Sequence, residues 1–228
     1  MPESFALPIL SGPVRGMRWV VDSSVLRCWL GLYERDRLDQ MKAMMGPGSV
    51  FYDVGAQAGY HSLHASRWVG DGGQVYAFEP LPLNFRNLAQ HVELNNLHNV
   101  KPVQCAVSDS EGQMHFDPGP GMMAGHLSDS GPLTVKVVSV DRFVEEGHRP
   151  PSFMKIDVEG AEMRVLKGAE KTLHRYRPGL MLDTHDFLGG ECAGLHEACT
   201  NYLTGIGYSR LEHIAPDGFA GALIAYPK

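Results

Sequence analysis

Short apolar runs alternate along this chain with stretches whose apolar residues recur every three or four positions. That is the pattern of strands buried on both faces and of helices laid against them. Val50-Phe51-Tyr52-Asp53, Gln74-Val75-Tyr76-Ala77-Phe78, Val100 to Val103, Phe153-Met154-Lys155-Ile156-Asp157 and Leu180 to Asp183 read as such strands. Helices are predicted over Tyr60 to Val69, Leu83 to Asn95, from Glu162 to about Tyr176, and near Leu195 to Leu203. Alternation at Gly112 to Phe116 and Thr134 to Val140 adds two strands, and Tyr208 to Glu212 and Ala220 to Tyr226 add two late ones. The segment between the first of these pairs, residues 117–133, is rich in Gly, Pro, Met and Ser. It is longer than a usual connection and is expected to be a lid or substrate loop, with a disordered insertion as the other reading.

Residues 1–45 precede this repeat as an accessory segment. A hairpin is predicted through Met17 to Val21 and Leu26 to Leu30, then a helix from Glu34 to Met45 that carries Leu38, Met41 and Met45 on one face and stops at Gly46-Pro47-Gly48. The main domain is expected to span 46–228.

Composition narrows the class. At 228 residues, 43% hydrophobic and 20% charged, the chain suits one α/β domain with a substantial core. A formal net charge of −6 with no lysine-arginine block argues against nucleic acid as a partner. No run approaches the roughly 20 apolar residues of a membrane span, and Met1 to Leu10 lacks the basic start of a signal peptide, so a cytoplasmic protein without a membrane partner is expected. Cys28, Cys105, Cys192 and Cys199 have no C-x-x-C spacing and read as buried free thiols.

The candidate chemistry lies where the first strand of the repeat ends. Asp53-Val54-Gly55-Ala56-Gln57-Ala58-Gly59 turns on glycine into a helix, which lets bare backbone approach a ligand. A second strand ends on a carboxylate at Phe78-Glu79-Pro80, placing Glu79 beside that turn in a doubly wound sheet, able to accept from ribose hydroxyls. An acid about 20 residues after the glycines suits a dinucleotide as well. Asp53 would repel a pyrophosphate, however, and the spacing is D-x-G-x-x-x-G where G-x-G-x-x-G would be expected. S-adenosylmethionine, which carries a sulfonium and an ammonium and no phosphate, is the better electrostatic match.

Phe51-Tyr52-Asp53-Val54-Gly55-Ala56, Phe78-Glu79-Pro80, Cys105-Ala106-Val107-Ser108-Asp109 and above all Lys155-Ile156-Asp157-Val158-Glu159-Gly160-Ala161-Glu162 with Val165-Leu166-Lys167-Gly168-Ala169 resemble, in this order, the FkbM family of S-adenosylmethionine-dependent methyltransferases. The likeness runs from about Leu32 to Asp186. It implies a Rossmann-like class I methyltransferase fold: a seven-stranded α/β sheet with an antiparallel last strand and helices on both faces. It also implies O-methylation of a small-molecule hydroxyl on a sugar or secondary metabolite. Carried onto this chain, it implies that Asp53, Gly55, Ala56, Gln57 and Gly59 hold the methionine half of the donor, Glu79 the ribose, and Ala106 and Val107 the adenine. Tyr60, Pro80 and Asp157 join these donor contacts. Glu34 is expected to reach the donor's amino end or simply to open a helix. Gln57 departs from the family, which usually has asparagine or a similar small polar residue there.

Transfer to a hydroxyl needs a base or a metal near the carboxyl ends of the fourth and fifth strands. Asp157, His185 and Asp186 fall there, with His185 as general base and Asp157 orienting it or the acceptor. The same three could ligate a divalent cation, or be structural. Glu159 and Glu162 are expected to complete the polar wall or to favour a helix N-terminus. His61 and His64 share a helix face without a visible third ligand and read as core or partly exposed. Trp19, Trp29 and Tyr33 either stack on an acceptor or pack in the core. An NAD-dependent oxidoreductase and a catalytically inactive donor-binding protein are the competing functions.

Overall fold

The computed structural model describes residues 5–119, 125–186, 192–214 and 221–227. In chain order the elements are β1 (Ala6–Pro8), β2 (Arg18–Val20), α1 (Leu26–Leu30), α2 (Arg35–Ala43), β3 (Val50–Val54), α3 (Tyr60–Val69), β4 (Gln74–Phe78), α4 (Pro82–Leu94) and β5 (Val100–Val103). There follow β6 (Ala106–Val107), β7 (Gly112–Asp117), β8 (His126–Leu127), β9 (Leu133–Val138), α5 (Val140–Glu145), β10 (Phe153–Ile156), α6 (Glu162–Gly168), α7 (Glu170–Tyr176), β11 (Gly179–Thr184), α8 (Leu195–Gly205), β12 (Arg210–Ile214) and β13 (Gly221–Tyr226).

Seven strands form one sheet in the order β12-β13-β11-β10-β3-β4-β5. β3, β4, β5, β10 and β11 run parallel, while β13, the last strand, lies antiparallel between β11 and β12. The chain leaves β3 toward β5 and then crosses back to β10. The winding therefore reverses between β3 and β10, and a ligand crevice is expected outside the carboxyl ends of those two strands. Every residue of β3 and β10 is buried, and successive β3 side chains enter different cores: Tyr52 and Val54 pack with Phe78, Phe143 and Leu166, Phe51 with Val69, Leu88 and Phe153. This two-sided burial explains why these strands read as continuous apolar runs.

Several expected elements differ. Leu26 to Leu30 is helix α1, not a hairpin arm; β2 pairs instead with β1. A five-residue apolar run has no period to distinguish helix from strand, and left-handed Gly31 closes it by donating to Arg27 O and Cys28 O. The expected helix 162–176 is two, α6 and α7, meeting at Ala169, and Gly168 beside the break packs so closely on the neighbouring loop that a Cβ would overlap Ser108 O. Val140 begins α5, capped by Ser139 Oγ accepting from Arg142 N at 3.1 Å. A second sheet, β6-β9-β7-β8, absorbs part of the expected lid as β8; residues 120–124 of that loop lie outside the described residues.

The accessory segment packs onto the main sheet's helices. Trp19 stacks on His91 of α4 with ring centroids 4.0 Å apart, and Val20 N donates to His91 Nε2 at 2.8 Å. His91 Nδ1 must then be the protonated nitrogen, donating to Ala58 O at 2.7 Å in the glycine turn. Among the described residues no helix is long and apolar enough to cross a membrane.

Candidate active site

The turn after β3 is held in register by the tip of β4. Gly55 N and Ala56 N both donate to Phe78 O, at 3.1 and 2.9 Å, and Gln57 N donates to Glu79 Oε2 at 2.9 Å. Gly55, Gln57 and Gly59 all have positive φ, and Gly55 lies so close to the strand after β10 that a Cβ would overlap Asp157 O. Glycine at 55 is thus required twice, by conformation and by space. Gln57 takes the same left-handed conformation with a side chain, at a cost of order 1 kcal/mol, and its amide reaches Ser23 O at 3.2 Å.

A cleft opens here, with about 920 Å³ of empty space that includes open solvent. Gly55, Ala56, Gln57, Tyr60, Glu79, Pro80, Ala106, Val107 and Asp157, all named above as candidate donor contacts, line it. Glu79 is buried, its Oε1 accepting from Leu81 N at 2.8 Å and the carboxylate also from Asn84. With the bond from Gln57 N, three of a carboxylate's roughly four acceptor positions are used, so one remains for a ligand. Burial pushes Glu79 up to about 7, against the lowering effect of those hydrogen bonds.

Asp53, Gly59, Glu34, His185 and Asp186 are not among the residues lining the cleft. Asp53 is wholly buried and accepts from Ser62 Oγ of α3 at 2.6 Å, so it anchors the turn from below. Gly59 opens α3 with φ 87° and abuts Leu88, where a Cβ would sit 2.5 Å from Cδ1. Asp186 Oδ1 accepts from His196 N at 2.7 Å and leaves the expected cluster; it caps the approach to α8.

His185 stands behind the cleft wall. Its Nδ1 is 2.8 Å from Glu162 Oε1, and its Nε2 is 3.6 Å from Asp157 Oδ1 and 3.4 Å from Glu159 Oε1. Burial would lower its pKa, but Glu159, Glu162 and Asp157 outweigh burial and raise it to about 11. Three carboxylates around one ring favour the imidazolium as long as no other cation takes the proton's place. Glu162 is fully buried and also accepts from Val158 N and Gly160 N, which makes it the post of the loop after β10 and no part of the wall.

Lys155 lies fully buried at the cleft floor with Nζ 2.7 Å from Asp157 Oδ2. Burial opposes its charge, yet Asp157, then Asp53, Asp183 and Glu34, hold its pKa above the usual lysine value. Reciprocally, Lys155 and His185 keep Asp157 low despite its desolvation.

The accessory segment completes the wall with Ser24, Cys28 and Tyr33. Behind it, Glu34 pairs with His61 Nε2 at 3.1 Å and with Arg37 at 3.6 Å, and Arg37 Nη1 reaches Asp183 Oδ1 of β11 at 2.5 Å. Burial works against the Glu34 charge, but His61, Arg37 and Lys155 bring it down to about 2. His61 lines the cleft, whereas His64 is core, bonded to Tyr60 O at 3.0 Å, so the two do not form a metal pair. Of the three aromatic candidates Tyr33 is the one at the cleft; Trp19 is buried on His91, and Trp29 Nε1 donates to Pro8 O at 3.1 Å. Phe116 of β7 and Leu127 of β8, from the small sheet, are among the wall residues not anticipated, and the alternation over 112–116 was the available signal for Phe116.

Comparison with known proteins bears on this geometry. The sequence model of the methyltransferase FkbM domain matches residues 53–210. The hexuronic acid methyltransferase AglP of Haloferax volcanii is 36% identical over a stretch covering 54% of this chain and 51% of that protein. The 31-O-demethyl-FK506 methyltransferase FkbM of Streptomyces tacrolimicus is 30% identical, with 65% and 71% covered. The aligned region thus spans about half the length of AglP. Among solved structures, the methyltransferase FkbM of Methylobacillus flagellatus superposes with a TM-score of 0.58 at 17% identity, over 89% of this chain and 56% of that one. An rRNA methylase from Streptococcus thermophilus shares the fold at TM-score 0.53 and 12% identity, over 84% and 94%. The fold alone therefore does not separate small-molecule from nucleic-acid acceptors, and the exclusion of nucleic acid expected from sequence rests on charge alone.

Proposed function

The chain belongs to the FkbM methyltransferase family, and from that membership we propose that it moves a methyl group from S-adenosylmethionine to a hydroxyl oxygen of a small molecule, a sugar or a secondary metabolite. The observation that carries the donor assignment is Glu79, a buried carboxylate with an acceptor position to spare, bonded directly to the glycine turn in a cleft whose other charged walls are Asp157, Glu159 and Lys155. Two or more carboxylates against one ammonium favour a cationic nucleoside and disfavour a pyrophosphate.

When bound, S-adenosylmethionine supplies a methyl carbon on a sulfonium, already a good leaving group. The residues' task is to hold an acceptor oxygen in line with it and keep water out. Ala106, Val107, Phe116 and Leu127 form the apolar side of the cleft, suited to adenine, and Asp157 and Glu159 stand at the carboxyl ends where an acceptor hydroxyl can donate. The relatives named for a hexuronic acid and for an oxygen of FK506 support a hydroxyl acceptor.

Titration calorimetry with S-adenosylhomocysteine and NADH tests the reading: the first is expected to bind and the second not, and the reverse would return the oxidoreductase. Methyl transfer to none of a library of sugars and hydroxylated metabolites, despite tight donor binding, would mark an inactive binding protein.

A pH dependence follows from Glu79. Ribose hydroxyls donate to the carboxylate and not to the acid, so a proton on Glu79 competes with the donor. Because burial holds the unliganded group near 7, S-adenosylhomocysteine affinity is expected to be level above about pH 8 and to weaken below 7, approaching tenfold per pH unit. In Glu79→Gln the slope should vanish and affinity at pH 8 should fall about tenfold or more; a slope that persists in the variant would assign it to another group.

A further inference from the structure

Asp157, Glu159 and His185 each offer one atom within 4.8 Å of the other two, where β10 and β11 open onto the cleft. His185 Nε2 faces both carboxylates, at 3.6 and 3.4 Å, while Nδ1 is engaged by Glu162 Oε1 at 2.8 Å. A fully buried carboxylate that takes Nδ1–H from behind fixes the ring with Nε2 turned toward Asp157 and Glu159, the usual support of a coordinating histidine. Glu162 is itself locked by Val158 N and Gly160 N, so the support is rigid. Charge points the same way. Asp157, Glu159 and Glu162 set three carboxylates against the single ammonium of Lys155, an excess of oxygen acceptors that suits a cation.

We propose that Asp157, Glu159 and His185 bind a first-row divalent cation, with its open coordination positions turned to the cleft that Asp157 and Glu159 line. Glu159 takes the ligand place that the sequence assigned to Asp186, which is spent on His196 N. The mixed oxygen and imidazole donors suit Mn²⁺ or Zn²⁺ better than an all-oxygen ion such as Ca²⁺. The ion's role, though not its binding, rests on the methyl-transfer reading. A hydroxyl oxygen on the ion sheds its proton to solvent more readily. Its electron pair then forms the bond to the methyl carbon, and the carbon–sulfur pair departs on sulfur as the thioether.

The test is Mn²⁺ titrated into the chain without donor or acceptor, followed by loss of the free-ion electron paramagnetic resonance signal. One ion per chain is expected. Glu159→Gln, a partly exposed position, should abolish uptake with the fold intact by circular dichroism, and Glu162→Gln should weaken it by about 10–100-fold. Chelated protein should lose transfer and regain it with Mn²⁺. Absence of uptake, or uptake that Glu159→Gln leaves unchanged, overturns the site. Uptake without S-adenosylhomocysteine binding would sink the methyl-transfer reading and leave the site standing; donor binding without uptake would do the opposite.

Discussion

Gly55→Ala is expected to cost roughly 2–5 kcal/mol of stability and to remove donor binding altogether. The left-handed conformation, φ 82°, charges any L side chain about 1–2 kcal/mol, and overlap with a packed neighbour adds about 1–3 more. The neighbour is the carbonyl oxygen of Asp157, a backbone atom of the strand end that cannot rotate away. Relief would require β3 and β10 to part, and those two strands carry opposite walls of the cleft. Gly46→Ala is the control: nothing lies within 4 Å of a Cβ there and its φ is not left-handed, so a change within about 0.5 kcal/mol is expected. Urea midpoints of the two variants, with S-adenosylhomocysteine titrations beside them, decide the matter. A Gly55→Ala chain that unfolds with the wild type would mean that the approach of Gly55 to Asp157 O does not hold the turn.

The sheet was legible because its strands are buried on both faces and end on chemistry. Phe51, Tyr52 and Val54 cannot be placed on a surface, and the acids Asp53 and Glu79 fall at the carboxyl ends of the neighbouring strands β3 and β4. The cleft wall followed, since Gly55 to Gln57 come directly after β3, Glu79 comes directly after β4, and Ala106 and Val107 form β6. What a linear sequence hides is which way a strand-end side chain turns. Asp53 lies inside β3, level with Ala77, and turns to Ser62 of α3, whereas Glu79, one residue beyond β4, enters the cleft. The surroundings of His185 were hidden because nothing in Thr184-His185-Asp186 shows that Glu159 and Glu162, more than twenty residues earlier, will close around it. The short helix α1 was missed for want of a period, and with it the contribution of Ser24 and Cys28 to the wall. Glu34 to His61 and Arg37 to Asp183 are contacts across distant parts of the chain, visible only once α2 is laid against the strand ends.

Asp157→Asn is expected to lower transfer by roughly 10²–10³-fold and, separately, to destabilise the fold by about 3–5 kcal/mol. The second effect comes from Lys155, whose side chain is 2% exposed against 32% for Asp157. Stripping the carboxylate leaves a buried ammonium whose remaining acids, Asp53, Asp183 and Glu34, lie outside direct contact, whereas stripping the ammonium leaves a carboxylate that water can reach. Lys155→Met should therefore be the milder single change, and Lys155→Met with Asp157→Asn should be more stable than Asp157→Asn alone, because an apolar side chain replaces an unpaired buried charge. The double variant should still be inactive, since recovered stability does not restore the missing oxygen at the acceptor end of the cleft. Denaturant unfolding and turnover measured on all four chains separate the two roles: full activity in the stabilised double variant would show that Asp157 serves only to neutralise Lys155.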